Sequence, residues 1–550
     1  MPPELPTSSA LRFLLPSVRD IIFIFLFWSV LAGPLSNRPL ADADIGWHIR
    51  TGEQILATHS LPRTDPYSST MQGQPWFAWE WFYDTMLGFL HRTCGLNGVA
   101  WLCALLTATI FTCLLSQLLR RGTGLLFAVL LMLLAEAAAM IHLYARPHIA
   151  SWLFSLLWFV VLEEWEGWNW RDRGSLPRWI PLFFPTSMLL WVNLHGGWLF
   201  GMVLLTIYTI GAFVESLRMQ KKDPFAAIRL AHRARAMSVA WMTSAAATLV
   251  NPFGWSLHTH IYRYLTDHYL MNRIDEFRSP DFHGWAERSF AVILFLTLIA
   301  LPTTVNHPSV RGDSKNQRHL QLSHLLVLLF AVYAGFYATR NLPVSSMLLV
   351  LIIGPILWTD FTTLADKPGA WPWLRHTTAR IANFSDRMTT QELDLRGHLW
   401  PIVTVVFAFA ICLQGGRLGS RQLIHAEFDP KKMPVAAVDF LTKEKVQEQP
   451  VTDPVFSIDA WGGYIIYRMY PERKVVVDDR HDLYGPGRIR QYVTLVHAEP
   501  GWQGVLKDWQ IHTALLPTDS TLANLLREQP QDWRIAYEDK VAVVFEKVDG

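Results

Sequence analysis

Two carboxylates and a histidine follow the first apolar run of this sequence and could do chemistry together. Asp42 and Asp44 are two residues apart, and His48 lies four residues further on. Such a pair of carboxylates can bind a divalent cation such as Mg²⁺ or Mn²⁺, which prefers oxygen ligands and bridges to phosphate. Alternatively, one carboxylate can act as a general base on an acceptor hydroxyl. Helix capping explains single polar residues well, but it poorly explains two acids at this spacing.

Further ionisable residues stand at the ends of later apolar runs. They are Glu80, Arg146, His148, His195, Asp275, Glu276 and Arg340. Arginine and histidine in this setting can neutralise a leaving phosphate. The alternative is that each residue caps a helix or faces water, as polar residues in connecting loops commonly do.

The composition indicates which kind of element positions these residues. Of the 550 residues, 51% are hydrophobic and only 17% are charged, whereas soluble domains contain about 25% charged residues. Many of the 25 tryptophans lie beside apolar runs, as expected at a membrane interface. The net charge of +2 implies no nucleic-acid partner. The four cysteines show no metal-binding spacing, so neither a zinc site nor a disulfide framework is expected.

Eleven apolar segments are predicted to cross the membrane as helices. They are residues 17–35, 96–118, 124–143, 148–163, 179–194, 197–216, 237–251, 288–304, 322–339, 343–360 and 399–416. Every second junction (119–123, 164–178, 217–236, 305–321 and 361–398) is rich in arginine and lysine. Basic loops stay on the cytoplasmic side, which predicts a cytoplasmic N-terminus in the cell (inner) membrane. The acidic and histidine-rich junctions then share the outer face and are expected to form one site.

The sequence after about residue 418 is predicted to be an extracytoplasmic α/β domain, residues 419–550, following a membrane domain of residues 1–418. Expected helices are Pro434–Lys445 and Thr521–Arg527, and expected strands are Val455–Ile458, Lys474–Val477 and His512–Leu516, with a terminal hairpin of Trp533–Tyr537 and Val541–Glu546. The segment Trp461–Tyr464 is expected to pack on the outer loops or to guide an acceptor. For Asp478-Asp479-Arg480, a surface turn with an exposed ion pair is the plain alternative.

Three short motifs carry a family resemblance. The first is Asp44-x-x-Trp47-His48-x-Arg50 followed by Asp65-Pro66, and the second is Ile274-Asp275-Glu276-Phe277. The third is Asp459-Ala460-Trp461-Gly462-Gly463-Tyr464 followed by Asp478-Asp479-Arg480. Together they resemble the external motifs of GT-C glycosyltransferases, and in particular the oligosaccharyltransferase catalytic subunit. His48 replaces an asparagine of that family, and the residues of the third motif are rearranged.

The resemblance implies that Asp44, with Asp42 beside it, is the metal ligand or catalytic base in an outer loop of about residues 36–95. Glu276 or Asp275 would be the second acid, with Asp275 as a further metal ligand. It also implies a sugar donor linked to polyprenyl phosphate or diphosphate. Substrate contacts are expected from residues of the outer loops and the C-terminal segment: His48, Arg50, Glu80, Arg146, His148, His195, Arg340, Trp461 and Tyr464.

The sequence therefore predicts a membrane glycosyltransferase that acts on a glycan, lipid or protein acceptor at the outer face. A polysaccharide polymerase or ligase would use the same donors on the same face. Two further classes stay open. The first is a transporter or flippase for a lipid-linked or small solute, which Glu136 and Glu163 inside the apolar runs favour. The second is a non-catalytic envelope assembly protein.

Overall fold

The computed structural model describes residues 13–168, 176–306, 320–364, 371–395, 398–443 and 453–548. Parts of the basic junctions 164–178, 305–321 and 361–398 lie outside these residues.

Helices dominate the described chain. Up to residue 413 they are α1 Val18–Leu31, α2 Ile45–Thr58, α3 Trp81–Cys94, α4 Leu96–Arg120, α5 Leu125–Ala139, α6 His148–Glu166, α7 Trp179–Leu194, α8 Trp198–Met219, α9 Pro224–Ala247, α10 Trp255–Thr266, α11 His268–Arg273, α12 Trp285–Asn306, α13 Leu322–Tyr337, α14 Leu342–Thr363, α15 Pro372–Asp394 and α16 Leu399–Leu413. Short 3₁₀ turns cover Met140–His142, Asp275–Phe277 and Thr339–Asn341.

Each of the eleven predicted apolar segments coincides with a helix. Among the described residues, five helical stretches are long and apolar enough to cross a membrane: Leu96–Arg120, Leu125–His142, Trp198–Met219, Trp285–Pro302 and Thr339–Thr363. A sixth is added if α15 and α16, bent by 67°, form one span. The helices α7 and α13 are apolar but shorter. Helix α9 begins well before its predicted span, and its first half carries Arg229, Arg233 and Arg235.

The two helices that follow the predicted catalytic loop lie against each other through glycines. Gly52 of α2 faces the Asp84 carbonyl of α3 so closely that a Cβ atom at Gly52 would stand 1.8 Å from that oxygen. A Cβ atom at Gly88 of α3 would stand 2.4 Å from the carbonyl carbon of Gly52. Only glycine allows this approach. The contact therefore fixes the first turns of both helices, which begin at the cavity described below.

The C-terminal segment is a small α/β unit. It contains helices α17 Val435–Lys443, α18 Asp459–Met469, α19 His481–Val496, α20 Trp502–Asp508 and α21 Thr521–Arg527, and strands β3 Val455–Ser457, β4 Thr513–Pro517, β5 Trp533–Glu538 and β6 Ala542–Lys547. The sheet order is β3-β4-β6-β5, with β3 and β4 parallel and the other pairs antiparallel. The hairpin of β1 Arg417–Leu418 and β2 Arg421–Gln422 precedes this unit.

The predicted strand Lys474–Val477 is wrong, because this segment makes only isolated bridges where it lies between β3 and the outer loop. Only Val475 forms bridges, one to Val455 and one to Ser68 of the outer loop, both parallel. The amide of Ser69 donates to the carbonyl of Val475, and the amide of Val475 donates to the carbonyl of Tyr67. The outer loop thus continues the hydrogen bonding of the C-terminal sheet. The buried apolar residues accordingly form one cluster from Phe23 to Phe545, continuous across residue 418.

Candidate functional site

A cavity of about 820 Å³ lies between the helix ends and the C-terminal unit. It is lined by ten of the residues singled out in the sequence: Asp42, Asp44, Glu80, Arg146, His148, His195, Asp275, Glu276, Arg340 and Trp461. They come from five separate junctions between apolar segments and from α18. The outer junctions thus meet at one cavity, and the role of this cavity as a functional site stays a prediction.

Two of the acids, Asp44 and Glu80, stand at helix N-termini without capping them. Asp44 occupies the N-cap position of α2, and Glu80 occupies that of α3, yet neither side chain makes a capping hydrogen bond. By contrast, Ser17 and Asp20 form a capping box at α1 with both hydrogen bonds present. Capping therefore does not account for Asp44 or Glu80, whose carboxylates are turned towards the cavity.

Arg146 is the cation that joins the acids of the outer loops. Its guanidinium lies 2.9 Å from Asp42 Oδ2, 2.9 Å from Asp44 Oδ2 and 2.6 Å from Glu276 Oε1. Burial opposes ionisation of Glu276, but Arg146, together with Arg340 and the nearby histidines, more than offsets burial and lowers the pKa of that carboxyl. Burial raises the pKa of Asp42, although Arg146 works against this rise. One arginine thus positions three of the predicted acids and holds Glu276 in its charged form.

A third carboxylate beside Asp42 and Asp44 comes from the C-terminal unit. Oxygen atoms of Asp42, Asp44 and Asp479 lie within 4.8 Å of one another. The Oδ1 atom of Asp479 is buried and has no hydrogen-bond partner among the described residues, and burial raises the pKa of this carboxyl to about 7. An all-carboxylate set with one unsatisfied buried oxygen fits a hard divalent cation such as Mg²⁺ or Mn²⁺.

Asp275, the expected third metal ligand, lies elsewhere. Its side chain is 91% exposed and pairs with Arg278 at 3.2 Å. It stands on the same 3₁₀ turn as Glu276, whose side chain points inward to Arg146. Adjacent residues on a short turn face different directions, so the two acids of this motif separate. Asp479 of the third motif occupies the position expected for Asp275, although its motif predicts no metal ligand.

Arg340 supplies positive charge that no acid of the described chain neutralises. Its guanidinium lies over the Phe277 ring at 4.4 Å and makes no ion pair with any described residue. His148 and His195 line the same cavity, with ring centroids 6.4 Å apart. A phosphate group would meet Arg340 as its available cation, since Arg146 is already shared by three carboxylates.

Three of the expected substrate contacts do not line the cavity. His48 is buried behind Glu80 and hydrogen-bonds Asp84 at 2.6 Å. Arg50 donates to the carbonyl of Tyr467 and pairs with Glu53 at 2.8 Å. Tyr464 is buried, and its hydroxyl accepts from Arg468 at 2.7 Å. Arg50 therefore joins α2 to α18, and Tyr464 belongs to the core of the C-terminal unit.

The neighbours of Tyr464 follow the expected packing on the outer loop. Gly463 lies so close to the outer loop that a Cβ atom at this position would stand 2.2 Å from the carbonyl oxygen of Ala43. Trp461 lines the cavity, and its indole donates to the carbonyl of Lys432 at 2.9 Å. The segment Trp461–Tyr464 thus lies on a helix that contacts the loop carrying Asp42 and Asp44.

The surface-turn interpretation of Asp478-Asp479-Arg480 is wrong. Arg480 is buried and lies 2.7 Å from Asp478 Oδ2 and 2.7 Å from Asp65 Oδ1. Its guanidinium also lies 5.1 Å from the Tyr67 ring and 4.7 Å from the Trp76 ring. The outer loop and the C-terminal unit thus share a buried ion pair, which holds the neighbouring Asp479 beside Asp42.

The C-terminal unit brings further groups that sequence reasoning did not find. His481 pairs with Asp459 at 3.0 Å, and Asp482 pairs with His260 of α10 at 2.9 Å. All of these except His260 line the cavity. Their signal in the sequence was weak, because Asp459 and His481 are 22 residues apart and meet only through packing of α18 on α19.

These features define a mostly helical protein with a charged cavity, a small C-terminal sheet and, among the described residues, five or six candidate membrane spans. No family model and no curated protein matches the sequence. The structure is similar to the crystal structure of the Archaeoglobus fulgidus oligosaccharyltransferase in complex with Zn and sulfate. The TM-score is 0.47 with 10% sequence identity, over 96% of this chain and 73% of that chain.

That similarity is to a member of the family that the three motifs of this sequence resemble. It concerns the arrangement of the chain. The roles of individual residues rest on the contacts and distances of the cavity itself.

Proposed function

We propose that this protein is a membrane glycosyltransferase that moves a sugar from a polyprenyl-phosphate donor to an acceptor on the outer face of the membrane. The observation that supports this most strongly is the composition of the cavity. Arg146 bridges three acids there, and Arg340 makes no ion pair with a described residue. Fixed negative charge beside an available cation suits a reaction in which a phosphate leaves.

The walls of the cavity fit a donor with a charged head and an apolar tail. The cavity is lined by the charged or polar Arg340 and His148 and also by apolar side chains, Leu199 and Phe200 of α8 and Val344 of α14. A lipid-linked phosphate would place its charge at Arg340 and its chain along these apolar residues. A water-soluble nucleotide donor would leave the apolar wall unused.

Asp42, Asp44 and Asp479 would hold a divalent cation in this scheme. When bound there, the cation supplies charge stabilisation for the phosphate oxygens. The remaining work falls to the chain itself: Arg146 orients the acids, Arg340 binds the phosphate, and the C-terminal unit closes one side of the cavity.

The direction of the site follows from the alternation of the junctions. The acids and arginines that line the cavity all come from junctions predicted outside or from the C-terminal unit. Residues near junctions predicted inside meet one another instead: Glu163 contacts Arg121 at 2.6 Å and His324 at 2.7 Å. This separation supports eleven spans, a cytoplasmic N-terminus and an extracytoplasmic C-terminal domain in the inner membrane. The acceptor is a glycan, a lipid or a protein.

The test uses purified full-length protein in lipid, incubated with radiolabelled polyprenyl-phosphate sugars with and without Mn²⁺. The wild type should release the carrier or yield a labelled product. Asp44→Ala should abolish transfer because it removes a ligand of the acid cluster, while expression and membrane insertion stay normal. Asp386→Ala, at an exposed position on α15, is the matched control. Full activity of Asp44→Ala would refute the role of Asp44.

A further inference from the structure

Glu80 differs from the other carboxylates of the cavity in its partners. Asp42, Asp44 and Glu276 share Arg146, whereas Asp459 and Asp482 each pair closely with one histidine. Glu80 makes no ion pair with an arginine or lysine among the described residues. Its side chain is 12% exposed and is held between two imidazole rings.

The first of these rings presents a proton to Glu80. Oε1 of Glu80 lies 3.6 Å from Nε2 of His195. The other ring nitrogen of His195, Nδ1, receives the backbone amide of Gly197 at 3.0 Å and lies 2.8 Å from the Ser151 hydroxyl. A backbone amide can only donate, so Nδ1 is the accepting nitrogen. In the neutral ring the proton therefore sits on Nε2, which faces Glu80.

The second ring connects Glu80 to a buried acid. Oε2 of Glu80 lies 3.8 Å from Nε2 of His48, and Nδ1 of His48 lies 2.6 Å from Oδ1 of Asp84. The side chain of Asp84 is 1% exposed, and its second oxygen has no hydrogen-bond partner among the described residues. In the tautomer in which Nδ1 donates to Asp84, Nε2 carries the free lone pair, and this nitrogen is the one nearest Glu80. Glu80 thus has the N–H group of His195 near Oε1 and an accepting nitrogen of His48 near Oε2.

We propose that Glu80 takes up the proton of the acceptor's hydroxyl group during sugar transfer, and that His48 and Asp84 position it for this task. This inference rests on the proposed glycosyltransferase function. The O–H bond of the acceptor breaks, and its proton goes to the Glu80 carboxylate. The freed electron pair of the oxygen forms the new bond to the anomeric carbon. The bond from that carbon to the phosphate oxygen breaks, and its electrons leave on the lipid phosphate.

The electrostatic surroundings agree with this assignment. Burial raises the pKa of Glu80 to about 8, which is near the pH at which a general base works best. Arg146 and Arg340 oppose this rise, whereas Asp482 and Glu276 add to it. The titratable side chains in contact are His48 and His195, with Asp84 behind His48. Glu276, which is bound to Arg146, is a weaker base by comparison, because the nearby positive charges stabilise its charged form and lower its pKa.

The experiment measures hydrolysis of a radiolabelled polyprenyl-phosphate sugar, with water as the hydroxyl acceptor, by full-length protein in lipid. Glu80→Gln keeps the shape of the side chain but cannot take up a proton. We expect kcat to fall about 10²- to 10⁴-fold, with equilibrium binding of the donor unchanged. Glu80→Asp should retain part of the activity. Glu528→Gln, at an exposed position on the C-terminal unit, is the control.

A second readout separates a role in positioning from a purely structural one. His48→Gln should shift the pH at which kcat is half-maximal while KM stays the same, because the ring that faces Glu80 is lost. An infrared carboxylic-acid C=O band that titrates in the wild type should disappear in Glu80→Gln. Equal kcat in Glu80→Gln and wild type, lost donor binding in Glu80→Gln, or an unshifted pH profile in His48→Gln would each overturn the proposal. A wild type that neither binds nor hydrolyses any donor would instead overturn the proposed function.

Discussion

At the scale of single residues, the two arginines of the cavity have different partners: Arg146 binds three carboxylates, and Arg340 lies over an aromatic ring. Arg146 is held by three carboxylates and stands where a divalent cation would compete with it for Asp42 and Asp44. Arg340 rests on an aromatic ring and keeps its guanidinium available. Arginine suits both tasks, because its planar fork can bind several oxygens at once.

Replacing Arg146 by Met should separate its two effects. Without the guanidinium, Asp42, Asp44 and Asp479 lose their competing cation, so Mn²⁺ should bind more tightly. Sugar transfer should fall, because Glu276 and the two aspartates lose their fixed orientation. Calorimetric Mn²⁺ titration and the transfer assay measure the two effects. Weaker Mn²⁺ binding in Arg146→Met would contradict the assignment of these acids as ligands.

Replacing Arg340 by Gln should weaken binding of the lipid-phosphate donor. A hydrogen bond to a charged group contributes about 1.5–3 kcal/mol, so KM for the donor should rise roughly 10- to 100-fold. Arg278→Gln is the matched control, since Arg278 is 64% exposed and pairs with the exposed Asp275. Equal donor KM values in Arg340→Gln and wild type would exclude Arg340 as the phosphate contact.

At the scale of elements, the glycine contact between α2 and α3 controls where His48, Glu80 and Asp84 stand. Any Cβ atom at Gly52 would collide with the backbone of α3. Two helices in such contact cannot separate without moving the first turns that carry these three residues. Precision at the cavity therefore depends on two residues that carry no functional group.

Gly52→Ala should lower the free energy of unfolding by about 1–3 kcal/mol through overpacking. It should also lower sugar transfer, because the pair of His48 and Asp84 is displaced. Gly504→Ala is the matched control: a Cβ atom there meets nothing within 4 Å, and alanine favours the helix. Thermal unfolding in detergent measures both variants. A Gly52→Ala protein as stable as the wild type would show that α2 and α3 tolerate a wider spacing.

Glu163, one of the two glutamates that favour the transporter alternative, has a structural explanation. Glu163 is bound by Arg121, by His324 and by the hydroxyl of Tyr208 at 2.6 Å. These partners tie α4, α6, α8 and α13 together. A carboxylate saturated in this way stabilises a helix bundle, and it offers no vacant oxygen to a transported solute.

At the scale of the whole molecule, the outer loop and the C-terminal unit form one structure. Arg480 pairs with Asp65, Val475 exchanges backbone hydrogen bonds with the loop, and Gly463 packs on Ala43. These contacts determine the position of Asp479, the third carboxylate of the acid cluster. A protein that ends at residue 418 should therefore lose sugar transfer as well as the order of its outer loop.

The buried pair of Arg480 and Asp65 should make this union sensitive to acid. Burial alone would raise the pKa of Asp65, but Arg480 and neighbouring hydrogen bonds hold it below its usual value. A carboxyl whose pKa is lowered by folding adds stability above its unfolded pKa, and this stability is lost as the pH falls through the folded value. We expect the melting temperature of the wild type to decline below about pH 4.

Arg480→Met should lose this contribution at neutral pH. Removing one partner of a buried pair costs about 3–5 kcal/mol, so the variant should unfold earlier at pH 7. The difference from the wild type should shrink in acid, where Asp65 is neutral. Arg534→Met, in an ion pair whose arginine is 72% exposed, should change little. A constant difference between Arg480→Met and wild type at all pH values would show that Asp65 is not the partner that matters.

Sequence alone was sufficient for much of the architecture and for the membership of the cavity. Each predicted apolar segment is a helix, and the terminal helix Thr521–Arg527 and the final hairpin follow the predicted pattern closely. Apolar length and turn chemistry are local properties, so they can be read from neighbouring residues. Nine of these ten cavity residues were found because ionisable groups at the ends of apolar segments are rare and must share one side, and Trp461 was found through the motif of the C-terminal segment.

Tertiary structure alone decided which residues face each other. It exchanged Asp275 for Asp479 in the acid cluster, placed His48 behind Glu80, and turned Arg50 and Tyr464 towards the core. It also converted an expected surface turn into a buried ion pair of Arg480 and Asp65. The partners Arg480 and Asp65, for example, are 415 residues apart in the sequence. No local pattern specifies them, because they arise only when separate helices and the C-terminal unit pack around one cavity.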